Sequence, residues 1–247
     1  MSVAAVHPAP GFAPFTATHL VAAGLGIAVM AVFVLAGRRA SEQREKQIAR
    51  TWAVLWLIQQ VITTIYWLLP ASFDVGKSFP LHLCDVIGWI GPFALLMAHT
   101  RRTRWLRTVL YFWGIGLSTQ AFFTPTVEQG PGDPRFWFFW ISHTQIVGAG
   151  FYDVIVRGYR PGVRDFKTAI IASLCWMVPL ALFNWATGLN YGFLGKELEG
   201  ETILNVLPAW PWRLFAMAGI VLVLFTLLWC VWPLSRMIAG DRTNAPE

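Results

Sequence analysis

Seven apolar stretches, near 19–36, 51–69, 81–99, 106–123, 136–156, 168–187 and 212–235, divide the chain, and the loops joining them are alternately rich and poor in Lys and Arg. Each stretch is close to the ~20 residues that a helix needs to cross a hydrocarbon core of ~30 Å. In such a core every backbone N–H and C=O must be satisfied within its own segment, so helices are the expected form. The pattern predicts an all-α integral membrane protein, a single polytopic domain over residues 1–247 with seven transmembrane helices.

The loops orient the bundle. Of 19 Lys and Arg residues, 15 lie in alternate loops around 38–50, 101–107, 157–167 and 236–242; the other set holds only Lys77, Arg135, Lys196 and Arg213. Basic loops stay on the cytoplasmic side, which puts the N-terminus outside and the C-terminus in the cytoplasm. The net charge of +6 is then a topological bias, and no nucleic-acid partner is expected. The first span has no basic segment before it and no evident cleavage site, so it reads as an uncleaved anchor. Cys84, Cys175 and Cys230 fall inside spans, which argues against a disulfide framework. Trp52, Trp105, Trp137, Trp210, Trp212 and Trp232 lie near span ends and read as interfacial anchors.

Polar side chains inside a membrane are costly unless paired or solvated, so their depth is informative. His82, Cys84 and Asp85 sit at the outer end of the third span. Ser118, Thr119 and Gln120 end the fourth, and Ser142, His143, Thr144 and Gln145 lie about two turns into the fifth. Asn184 closes the sixth, with Asn190 and Tyr191 just beyond. All fall in the outer half, beside the outer loops 124–135 and 188–208. Ser78 and Pro80 read as an N-cap and a first-turn proline for the third span. At 1.5 Å per residue Cys84 then lies ~5 Å below Leu81 and His143 ~10 Å below Phe136, at compatible depth.

Two readings follow. In one, Cys84 is a nucleophile activated by His143, with Gln120, Asn184, Ser118 or Asp85 orienting the imidazole or holding an oxyanion. His82, Thr119, Ser142, Asn190 and Tyr191 are then candidates for substrate contact, and Asp85 has the further role of accepting backbone N–H bonds at a helix start. In the other, Cys84 is a small buried hydrophobe, as Cys175 and Cys230 are read to be, and His143 a hydrogen-bonded packing residue. A helix phase of 100° per residue points His82 and Cys84 to nearly opposite sides, which disfavours a shared zinc ion; His7, His19 and His99 lie elsewhere. No metal and no cofactor is expected.

The segments FPLHLCD (79–85), GLSTQAFFTP (116–125), FWISHTQIV (139–147), GYRP (158–161), NYGFL (190–194) and PAWPW (208–212) resemble the YwaF-like family of integral membrane proteins, which includes animal transmembrane protein 164. The resemblance runs from about residue 50 to 232 and departs at 195–201, GKELEGE, where many bacterial relatives carry Lys-Pro. It implies a seven-spanning fold and cysteine-dependent acyl transfer between phospholipids, with Cys84 as nucleophile and His143 as its histidine. The partners implied are membrane lipids, a phospholipid acyl donor and a lysolipid acceptor, met from the outer leaflet of the cell membrane. The alternatives are a transporter or small-molecule receptor using the same outer cavity, and a zinc-dependent lipid hydrolase built on His82, Asp85 and His143.

Overall fold

The computed structural model describes residues 11–197 and 203–242, with side chains described through 233. His7 and residues 198–201 of the divergent outer loop lie outside the described residues. Among those described there are seven α-helices and no strand: α1 (Ala17–Arg39), α2 (Glu42–Leu68), α3 (Leu83–Leu96), α4 (Arg104–Val109), α5 (Pro134–Ile155), α6 (Val163–Thr187) and α7 (Trp212–Arg242). A π-helix, Leu110–Leu117, and a 3-10 turn, Ser118–Phe122, continue α4.

Four helices are long and apolar enough to cross a membrane: α1, α2, α6 and the Trp212–Pro233 part of α7. Within their most apolar windows only 33, 22, 11 and 6% of residues are buried inside the molecule. Their Leu, Val, Ile and Phe side chains, such as Leu20, Val32, Ile171, Leu182 and Val223, face outward. Water does not tolerate continuous apolar surface on this scale, and a bilayer does. The chain is a membrane protein of apolar helices.

Several helix limits differ from those read in the sequence, each for a local reason. The third span is shorter, 14 residues or about 21 Å at 1.5 Å per residue. His82, not Ser78, stands at its N-cap, because Ser78 Oγ accepts the Asp74 N–H at 2.8 Å and closes a turn ahead of Pro80. Cys84 is therefore the second helical residue. The fourth span is α4 followed by π and 3-10 turns, and α2 begins nine residues earlier than 51, its polar first turns carrying the Glu42–Lys46 pair. α6 starts at Val163, where Asp165 accepts the Gly162 N–H at 2.7 Å.

α5 is the hub. All eight residues from His143 to Gly150 are buried, and the helix packs on α1, α2, α3 and the π-helix. A helix apolar all round needs neighbours on every side. α3 lies close on α2 because Gly88 and Gly91 lack side chains; a Cβ there would run into the Gln60 amide and the Trp56 ring. Trp52 is part of this interior and not an interfacial anchor: its ring stacks on Phe33 at 3.8 Å and its Nε1 donates to the Gln145 carbonyl. Trp105, Trp137 and Trp212 are exposed.

The two ends of the bundle differ chemically. At the basic end Arg107 pairs with Asp153 at 2.8 Å, Arg157 with Glu45 at 2.7 Å and Arg104 with Asp165 at 2.7 Å, tying α4, α5, α2 and α6 together. Asp165 also accepts the Gly162 N–H at 2.7 Å and the Thr108 hydroxyl at 3.1 Å.

Candidate functional site

The opposite end gathers the polar residues singled out above, and the structure separates those used for bracing from those left free. Cys84 is half-buried against the main core, on the face of α3 that continues through Gly88 and Gly91 toward α2. As the second residue of the helix it lies among N–H groups that have no intrahelical partner. Asp85 accepts the N–H of His82 at 3.2 Å, the third position of α3 reaching back to its N-cap. No side chain caps the amides of Leu83 and Cys84, and neither hydrogen-bonds to a described residue. Two uncapped N–H groups thus adjoin the thiol.

The histidines hold opposite tautomers, fixed by their partners. His143 Nδ1 lies 2.8 Å from the Phe139 carbonyl, which can only accept, so Nδ1 carries the proton. Its ring packs on Phe139 at 4.3 Å, and its Nε2 makes no hydrogen bond to a described residue. That leaves a lone pair on a buried, oriented imidazole. His82 is the reverse: the Gly192 N–H donates to its Nδ1 at 3.2 Å, so the uncharged ring carries its proton on Nε2.

Cys84 and His143 come from helices that pack directly on each other. No hydrogen bond joins them among the described residues. His143 shares its face of α5 with Ile146 and Gly150, which meet Gly114 and Ile115 of the π-helix. The two side chains therefore leave their helices toward different neighbours.

Most other candidates have structural partners. Ser118 donates its one hydroxyl proton to the Trp113 carbonyl at 3.0 Å and Thr119 donates to the Ile115 carbonyl at 2.6 Å, both within the π-helix. Spent in this way, neither hydroxyl can also donate to an oxyanion. Asn184 grips the backbone of Tyr191 from both sides, Nδ2 to its carbonyl at 2.7 Å and Oδ1 from its N–H at 3.0 Å. Tyr191, fully buried, bridges the Val75 carbonyl at 2.7 Å and the Phe79 N–H at 3.1 Å, pinning the loop ahead of α3. Asn190 accepts the Gly195 N–H at 2.9 Å. Gln120 is exposed, and Ser142 is half-buried. Cys175 is exposed, contrary to a packing role, and Cys230 is half-buried. Tyr191→Phe should destabilise the protein by about 1–2 kcal/mol, the loss of two hydrogen bonds, read as a lower unfolding temperature in micelles.

A model of the TMEM164 family matches residues 14–229, nearly the whole chain. The chain belongs to the TMEM164 family. No curated protein and no solved structure matches it. The matched region takes in Cys84, His143 and every brace just described.

In this TMEM164-family chain α2 also carries polar residues that depth-reading of the sequence passed over. Gln59 and Gln60 are buried; Gln59 Nε2 donates to Thr63 at 2.8 Å, while its Oε1 and that of Gln145 are buried without a donor among the described residues. Gln60, Thr63, Thr64, Lys77 and Asp85 line a cleft between α2 and the start of α3. Its volume, about 30 Å³, suits a water molecule. The run IQQVITT at 58–64 was the available signal. Among the described residues no three His, Cys, Asp or Glu side chains are grouped as a metal ion would require, which disfavours the zinc alternative.

Proposed function

We infer that this protein is a seven-spanning enzyme of the cell membrane, N-terminus outside, that transfers or hydrolyses lipid acyl groups through a thioester on Cys84. The observation that carries the reading is the thiol beside the uncapped N–H groups of Leu83 and Cys84, where a developing oxyanion would find two donors. These replace Ser118 and Asn184, whose hydrogen-bonding groups are engaged elsewhere. His143 supplies the base: Phe139 holds its Nδ1–H and its Nε2 is free to take a proton.

A phospholipid enters sideways from the outer leaflet and presents an ester carbonyl to Cys84. The thiol proton passes to His143 Nε2 as the C–S bond forms. The C–O bond then breaks and the imidazolium proton goes to the departing lysolipid oxygen. A second lysolipid hydroxyl, or water, gives its proton to His143 and attacks the thioester; the C–S bond breaks and the proton returns to sulfur. No cofactor enters this cycle. The cycle requires α3 and α5 to bring Sγ and Nε2 within hydrogen-bond reach when lipid is bound, as catalytic contacts often tighten only in the complex.

The test is intact-mass measurement of purified protein incubated with a mixed phospholipid extract, before and after hydroxylamine. A hydroxylamine-labile acyl mass is expected. No adduct and unchanged lipids after long incubation would favour the receptor or transporter reading.

A further inference from the structure

The basic end of the bundle holds a cavity of about 270 Å³, remote from Cys84 and lined by His99, Thr100, Arg101, Arg104 and Arg107. Basic loops are expected on the cytoplasmic side and need no ligand, so convergence and unmet hydrogen bonds must decide. Asp165 engages Nε and Nη2 of Arg104, and Asp153 engages Nε of Arg107. Arg104 Nη1 and both Nη atoms of Arg107 make no hydrogen bond to a described residue, and Arg107 Nη2 is buried in that state. Arg101 is exposed and has neither ion pair nor hydrogen bond to a described residue. The two aspartates thus orient Arg104 and Arg107 while balancing their charge, and Arg101 and His99 stand at the same cavity without a carboxylate of their own.

The geometry points to a binding site for a phosphate ester, whose tetrahedral oxygens match several guanidinium donors at once. The exposed Trp105, between Arg104 and Arg107 in the chain, suits the headgroup region, which makes an anionic phospholipid headgroup one source and a soluble phosphate ester the other. The inference does not rest on the thiol chemistry at the other end.

Lipid-stripped full-length protein in non-ionic micelles is titrated with inorganic phosphate, with phosphatidic acid and with diacylglycerol, the same lipid lacking phosphate. Ionic strength is held constant with chloride. Unfolding temperature and lipid retained in native mass spectra are read. Saturable stabilisation by phosphatidic acid but not diacylglycerol supports the site with a lipid source. Saturation by inorganic phosphate alone, with no further gain from phosphatidic acid, supports it with a soluble source. In either case Arg101→Glu should weaken binding about tenfold or more, since charge reversal opposes the anion, and Arg102→Glu, outside the lining, should not exceed about twofold. Saturation by neither ligand, equal effects of diacylglycerol and phosphatidic acid, or equal losses in the two variants would overturn the inference.

Discussion

Cys84→Ala protein will carry no hydroxylamine-labile acyl group after incubation with phospholipid, and will turn lipid over about 10³-fold more slowly or worse, the scale on which removing a nucleophile acts. Cys175→Ala and Cys230→Ala will keep the adduct, because neither thiol adjoins uncapped amides at a helix start. Cys84→Ser discriminates further. If an acyl group still transfers to oxygen, it forms an ester more resistant to hydroxylamine than the thioester. His143→Gln should slow acylation by about 10²–10⁴-fold without removing the acylated residue, as loss of a general base does. Unfolding temperature serves as the control, since replacing a half-buried thiol by a methyl group leaves little cavity. An adduct that persists in Cys84→Ala would move the nucleophile elsewhere. An equal loss in Cys175→Ala would mean that thiol content, not the α3 site, is being read.

The number and rough position of the helices were legible because they depend on the length of apolar runs. Alternating basic loops grouped Arg104, Arg107 and Arg157 at one end, where ion pairs to Asp165, Asp153 and Glu45 hold them. What was not legible depends on partners distant in the chain. Ser78 carries every mark of an N-cap, yet its hydroxyl is taken by Asp74 four residues back, and the helix begins only after His82. Asn184 and Tyr191 have the residue types of a binding site, but Asn184 satisfies the Tyr191 backbone, and the Tyr191 hydroxyl serves a loop 112 to 116 residues away. Depth along a helix aligned Cys84 with His143; the rotation that turns one toward α2 and the other toward the π-helix required the neighbours to be known. The amides of Leu83 and Cys84 left no trace in the sequence because every residue but proline carries the same N–H.

The largest effect on stability is expected at Asp153. Its side chain is 2% exposed and that of Arg107 11%, so the pair is among the most secluded charge contacts described. Both carboxylate oxygens accept from Arg107 Nε, and the guanidinium lies 4.8 Å from the centre of the Tyr159 ring. With Arg107 Nη2 already lacking an acceptor, Asp153→Ala would leave a largely buried guanidinium without its counter-charge. Breaking a buried pair from one side costs about 3–5 kcal/mol, a large share of the ~5–15 kcal/mol that holds a typical domain folded. The unfolding temperature in micelles should fall accordingly, and Asp153→Asn, which keeps an acceptor but not the charge, should fall less. Removing both charges as Arg107→Met with Asp153→Leu should recover much of the loss, because desolvation offsets most of an intact pair's attraction. The exposed Glu42–Lys46 pair at the start of α2 provides the contrast, since Lys46→Ala should leave the transition where it was. A fall for Asp153→Ala no larger than that for Lys46→Ala would mean that the Arg107–Asp153 pair holds the fold no more strongly than an exposed one.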